Sequence, residues 1–143
     1  MTENSAFNKR LHHIGFVVAD IQREIEGIAE SLGAAWDGNT ILDPLQRARV
    51  AFLRTECRSD ALLELIEPAG KDSPVIRLLQ RGGGLHHLCY EVVDLQRHLD
   101  QMRAKGAVIL QHPVPAVAFD NRRIAWVGTK ERLLLEFLER SPR

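Results

Sequence analysis

Leu85-His86-His87-Leu88-Cys89-Tyr90-Glu91-Val92 restates Leu11-His12-His13-Ile14-Gly15-Phe16-Val17-Val18 at a separation of 74 residues (13 to 87). Each copy leads into an acid, a helical pattern and a glycine: Asp20, then Ile21, Ile25, Ile28 and Gly33; Asp94, then Leu95, Leu99, Met102 and Gly106. Each module closes alike, Leu62-Leu63-Glu64-Leu65-Ile66-Glu67 being answered by Leu134-Leu135-Glu136-Phe137-Leu138-Glu139, 72 residues on (64 to 136). A repeat of that length is a duplicated supersecondary module, longer than a solenoid unit. The two halves are expected to form one pseudo-symmetric body.

Within each copy the periodicity predicts an order of elements. Alternation over 11–18 is that of a strand with Ile14, Phe16 and Val18 on one face and His13, Gly15 and Val17 on the other. Asp20 is placed to cap a helix of about three turns that Gly33 stops. Strands follow near 34–42, 48–55 and 61–67, with a turn at Asp43-Pro44. Ser73-Pro74 is expected to open a connector helix, Ser as cap and Pro in first position, which runs to a flexible Gly82-Gly83-Gly84 joint. The second module then repeats the first: strand 85–92, helix 95–105, strands near 107–112, 119–128 and 132–138. The expected fold is α+β, two βαβββ modules forming one cupped mixed sheet with helices outside. Its divisions are a tail over 1–10, modules over 11–70 and 85–139, and the connector over 71–84.

Composition narrows the function. The 143-residue chain is 45% hydrophobic, enough for a packed interior. Lys plus Arg and Asp plus Glu balance at 19 each, so no long-range field draws the chain to nucleic acid or an anionic membrane. Cys57 and Cys89 are too few for a disulfide scaffold and suit a reducing compartment. The polar first ten residues do not read as a signal peptide, and the expected location is cytoplasmic.

Four residues carry the chemistry. His13 and His87 begin matching strands and point away from the helix-covered face. Glu64 and Glu136 interrupt apolar strands, where a carboxylate costs several kcal/mol unless its charge is compensated. One such histidine or acid is ordinarily hydrogen-bonded or solvated. Two of each at equivalent places suit a divalent ion such as Zn, Co, Mn or Ni, bound by two imidazoles and two carboxylates. His12 and His86 share the parity of the helix-facing residues, at the strand's start. Glu67 and Glu139 read as solvated strand ends.

At this point the chain resembles the vicinal oxygen chelate superfamily, and within it the methylmalonyl-CoA epimerases and glyoxalase-like proteins. The likeness is carried by residues 11–18, Val-Ala-Phe-Leu at 50–53, Glu-Leu-Ile-Glu-Pro at 64–68, Asp-Ser-Pro-Val at 72–75, Gly-Gly-Gly-Leu-His-His at 82–87 and Leu-Leu-Glu-Phe-Leu-Glu at 134–139. By position, the family's metal ligands fall on His13, Glu64, His87 and Glu136. The resemblance implies a small-molecule substrate, an acyl thioester or 2-oxo compound, and a homodimer. Two departures stand out: Leu45, within Pro44-Leu45-Gln46-Arg47, occupies the place of the epimerases' proton-moving glutamate, and Ala118-Phe119-Asp120-Asn121-Arg122-Arg123 stands in the loop where they carry a Gly-Ala-His-Gly-like run. Gln46, Asn121, Arg122 and Arg123 are the expected substrate-binding residues.

The expected reaction is proton transfer α to a carbonyl with the enolate stabilised by the metal. Glu136 and Glu91 are the first candidates for the base, beside Glu64, Asp43 and Asp120. A glyoxalase I-like lactoylglutathione lyase is the alternative using the same stabilisation. A ring-cleaving dioxygenase needs one carboxylate fewer, which Glu64 argues against. A non-catalytic binder of small molecules such as antibiotics would leave both strand glutamates uncompensated.

Overall fold

The computed structural model describes residues 9–141, so most of the expected tail lies outside the described residues. Nine strands and three helices follow in the order β1 Arg10–Val17, α1 Ile21–Leu32, β2 Ala34–Trp36, β3 Ile41–Asp43, β4 Ala48–Thr55, β5 Leu62–Pro68, α2 Ile76–Gln80, β6 Gly84–Val92, α3 Leu95–Ala104, β7 Val108–Pro115, β8 Arg123–Gly128 and β9 Leu134–Glu139. The fold is α+β, and its ladders mix parallel and antiparallel pairs, as the two-module reading requires. Two compact units divide the described residues: one is His13–His86, the other those up to His12 with those from His87 onward.

In the first unit β5 joins β1 in parallel and β4 antiparallel, and β4 also carries β2 and β3. The expected strand over 34–42 is broken in two. Gly38 (φ 89°) and an Asp37 carboxylate accepting from the Asn39 amide at 2.9 Å turn the chain between β2 and β3. Helix α1 starts at Asp20, whose side chain accepts from the Arg23 amide, and stops at left-handed Gly33. Its apolar side packs Ile21 and Ile25 onto Val18, Ala51, Leu53 and Leu65. Glu67, expected to be solvated, instead accepts from the Ile21 amide at 2.9 Å, placing a negative charge on the helix N-terminus.

The second unit repeats this arrangement with β9 between β6 (parallel) and β8 (antiparallel), and with β7 on β8. Its core is Val92, Leu95, Leu99, Ala125, Val127 and Phe137. Position for position these match the first core at the separations of 74 and, after β8, 72 residues. The expected strand over 119–128 begins only at Arg123, because Asp120 and Asn121 both adopt left-handed backbone (φ 54° and 64°) after a 3-10 turn at Val117–Phe119.

The connector departs from expectation twice. Ser73 does not cap α2 and Pro74 precedes it; the helix begins at Ile76 after a turn in which the Ser73 carbonyl accepts from the Ile76 amide. The glycine triplet serves geometry rather than flexibility: all three have positive φ, and a Cβ on Gly83 would stand 2.6 Å from the Val17 carbonyl oxygen. Gly83→Ala therefore combines left-handed strain with a backbone clash and should cost roughly 2–4 kcal/mol, read as a lowered urea midpoint.

His98 on α3 packs its half-buried ring against Phe137, centroids 4.4 Å apart, and its Nε2 is buried without a hydrogen-bond partner. Burial, then repulsion from Lys9 and Lys105, lowers its pKa from 6.5 to about 4. Between those values the unfolded chain takes a proton that the folded chain refuses, so stability is full above pH 6.5 and declines as pH falls toward 4. Discounted for screening at a half-exposed ring, the loss is about 1–2 kcal/mol. His98→Phe should remove that part of the pH dependence in denaturation curves taken between pH 4 and 7.

Candidate metal centre

Parallel pairing positions each histidine beside one glutamate. In the β1–β5 ladder Gly15 faces Glu64, and His13, two residues earlier, points to the same side of β1. In the β6–β9 ladder Cys89 faces Glu136, and His87 stands two residues earlier. The result is the same contact in each unit: His13 Nε2 lies 3.4 Å from Glu64 Oε1, and His87 Nε2 lies 3.3 Å from Glu136 Oε1. All four residues are buried, none more than 5% exposed.

Each pair also carries an aromatic wall that the sequence reading missed. Phe52 is the ladder partner of Glu64 and meets the His13 ring edge-on at 5.8 Å; Trp126 is the partner of Glu136 and meets the His87 ring edge-on at 4.7 Å. The signal was present in the matched runs Val50-Ala51-Phe52-Leu53 and Ile124-Ala125-Trp126-Val127. Packed rings fix the imidazole planes and keep the pairs from water.

The donor chemistry fits a divalent ion. A separation of 3.3–3.4 Å is longer than an ordinary N–H···O hydrogen bond. Two donors bound at about 2.1 Å to one four-coordinate ion stand about 3.4 Å apart. A neutral imidazole supplies no charge to a buried carboxylate, whereas a divalent cation would.

The remaining candidates make contacts of their own. Glu91, a candidate base, accepts at one oxygen from Arg122 Nη1 (3.0 Å) and at the other from Arg140 Nε (3.2 Å). Burial alone would raise its pKa, but hydrogen bonds from the two guanidiniums and the charge of Arg122 hold it below the ordinary 4.5, which makes it a poor proton acceptor. Arg122 and Arg123 were expected to present cations to a ligand. Arg122 is taken up by Glu91, and Arg123 grips Glu139 with two bonds of 2.8 and 3.0 Å, so Glu139 is ion-paired while still partly exposed at its strand end. The Glu139 carboxyl is correspondingly held low, first by the Arg123 hydrogen bond. Asp43 is buried and accepts from the Leu45 and Gln46 amides at 3.0 and 3.2 Å, which makes it a turn residue that orients Gln46. Leu45 is 58% exposed; Asp120 and Asn121 are exposed at their turn. His12 lies edge-on to Phe119, centroids 5.3 Å apart, and His86 is half-buried on β6.

The signature of the glyoxalase/bleomycin resistance protein/dioxygenase superfamily matches residues 12–126. The ethylmalonyl-CoA/methylmalonyl-CoA epimerase of Cereibacter sphaeroides is 27% identical over 124 residues, 85% of this chain and 90% of that one. The human mitochondrial methylmalonyl-CoA epimerase is 30% identical over 98 residues, which are 67% of this chain and about half, 53%, of its own length. Among solved structures, the Mycobacterium tuberculosis methylmalonyl-CoA epimerase superposes with a TM-score of 0.79 at 27% identity, over 93% of this chain and 89% of that one. A substituted Streptomyces coelicolor methylmalonyl-CoA epimerase, in complex with 2-nitronate-propionyl-CoA, gives 0.78 at 27% identity, over 93% and 98%. No helix among the described residues is long and apolar enough to cross a membrane.

Glu91→Gln should lower stability by roughly 1–2 kcal/mol at neutral pH, the worth of charge-assisted bonds to two guanidiniums. Because the folded carboxyl is held below 4.5, that contribution is complete above 4.5 and is lost as pH falls through the lower value. The wild-type advantage in urea denaturation should therefore shrink on acidification, and an advantage independent of pH would contradict the assignment.

Proposed function

The chain belongs to the glyoxalase/bleomycin resistance protein/dioxygenase superfamily, and from that footing we propose that it is a divalent-metal-dependent epimerase acting on an acyl-CoA thioester. The observation that carries the reading is the repeated buried contact, His13 with Glu64 and His87 with Glu136. These four residues are the proposed ligands of a divalent ion. Such an ion supplies Lewis-acid polarisation of a carbonyl, which lowers the cost of the enolate formed when the α-proton leaves.

The protein's own groups do the rest. Glu136, buried and set against His87, is the proposed carrier of the α-proton, a role it would take only on giving up its place at the ion; Glu91 is dropped from that role because Arg122 and Arg140 hold its charge. Gln46, oriented by the Asp43 turn, and Asn121, at the exposed turn before β8, are the proposed polar contacts to substrate. The Phe52 and Trp126 rings exclude water from the imidazoles, which strengthens every charge interaction there. A homodimer accompanies this reading.

Leu45 favours the second reading, a glyoxalase I-like lyase. Inverting a stereocentre takes a proton from one face of a carbon and returns it to the other, a task for two proton carriers. Returning it to the neighbouring carbon needs one.

Elemental analysis after metal loading should give one divalent ion per chain. His87→Ala should lose stoichiometric metal while its far-ultraviolet circular dichroism stays unchanged. In deuterium oxide, the loaded wild type should exchange the α-proton of a methylmalonyl-type thioester. Exchange confined to 2-oxoaldehyde hemithioacetals would turn the assignment to the lyase, and a wild type without metal would end both readings.

A further inference from the structure

The geometry points to Arg122 as a positioning residue for the proposed metal centre, acting through the turn over 117–122 and its contact with His12. The inference rests on the reading above, because His12 immediately precedes the proposed ligand His13 in β1.

The guanidinium of Arg122 joins three segments. Its Nη1 donates to Glu91 on β6 at 3.0 Å and to the Glu139 carbonyl at the end of β9 at 3.3 Å, while its Nε donates to the Phe119 carbonyl at 3.3 Å. Arg140 takes the other oxygen of Glu91 at 3.2 Å, so the carboxylate is fixed from both sides. Phe119, only 7% exposed, is thereby tied to β6 and β9, and its ring stands at 88° to the His12 ring.

Asp120 and Asn121 are consecutive left-handed residues bearing side chains, a conformation costing of the order of 1 kcal/mol at each. Their backbone closes locally, with the Phe119 and Asn121 amides donating to the Ala116 carbonyl and the Ala116 amide to that of Arg122. The ladder pair Pro115–Arg123 roots the turn in the β7–β8 hairpin; the Arg122 fork ties it further to β6 and to the end of β9. A lysine would restore the charge but could not bond Glu91 and two carbonyls in one plane. Residues that orient a metal's ligands typically change affinity by 10–100-fold when lost.

The test measures zinc affinity by chelator competition and His12 ring signals by proton–nitrogen correlation in the metal-free protein, for wild type, Arg122→Met, Arg122→Lys and Arg49→Met. Arg49 pairs with Glu67 at 3.6 Å in the other unit and serves as a control for the loss of an ion pair. Arg122→Met should move the His12 signals and weaken zinc binding about tenfold, Arg122→Lys should fail to restore either, and Arg49→Met should leave both unchanged. Rescue by lysine, or unaltered zinc affinity in Arg122→Met, would overturn this inference alone. A wild type that takes up none of zinc, cobalt, manganese or nickel would overturn the metal reading and this one with it.

Discussion

The constraint that organises the molecule is the burial of a carboxylate in the middle of an apolar strand, done twice. Glu64 lies between Leu63 and Leu65, Glu136 between Leu135 and Phe137, and both side chains are less than one-tenth exposed. Alternation along β5 and β9 sends those apolar neighbours to the face covered by α1 and α3, so each acid must emerge on the opposite face. Parallel pairing with β1 and β6 then brings an imidazole to it in a fixed register. A one-residue slip would put the glutamate among the core leucines and isoleucines, so the hydrophobic pattern that buries the helix also aims the histidine–glutamate pairs.

The two units solve the same packing problem with nearly the same residues and differ where packing leaves freedom. The six core positions correspond throughout, Val18 and Ala51 being repeated unchanged as Val92 and Ala125 and the other four exchanging one apolar side chain for another. Outside the core the repeat loosens. Glu67 caps α1, while its counterpart Glu139 is claimed by Arg123. The first unit splits its outer strand into β2 and β3, whereas the second keeps a single β7 with register shifts. On the ligand face, Gly15 and Cys89 occupy matched positions, so one unit places a thiol where the other has none.

Legibility in the sequence followed the range of the interactions concerned. Helix α1 could be read to its ends, because Asp20 and Gly33 act within one turn of it. The four proposed ligands stood out because a charge in an apolar run is a local anomaly, and its repetition makes it a pattern. What escaped was set by contacts between distant residues. Glu91 looked like a base on the ligand face because nothing near it in sequence shows that Arg122 and Arg140, 31 and 49 positions away, close on it. The glycine triplet looked like a hinge because the Val17 carbonyl that demands Gly83 lies in another strand. The strand expected over 119–128 lost its first residues to two left-handed backbones, which apolar alternation cannot report.

Glu64, Glu91 and Glu136 pose one question and receive two answers, and that contrast is the strongest internal argument about chemistry. Glu64 and Glu136 are buried within their strands, and Glu91, near the end of β6, is partly buried. Glu91 is answered by two permanent cations, an arrangement that stabilises the fold and quenches basicity together. Glu64 and Glu136 each meet an imidazole, whose neutral form brings a lone pair and no charge. Replacing a guanidinium by an imidazole at a buried carboxylate gives up stability, unless the imidazole lone pair and the carboxylate are both meant for a third body. A divalent cation uses both, neutralising the acid and accepting the lone pair. Histidine rather than arginine at 13 and 87 is thus what the proposed metal site would require, while arginine at 122 and 140 holds Glu91 as a carboxylate.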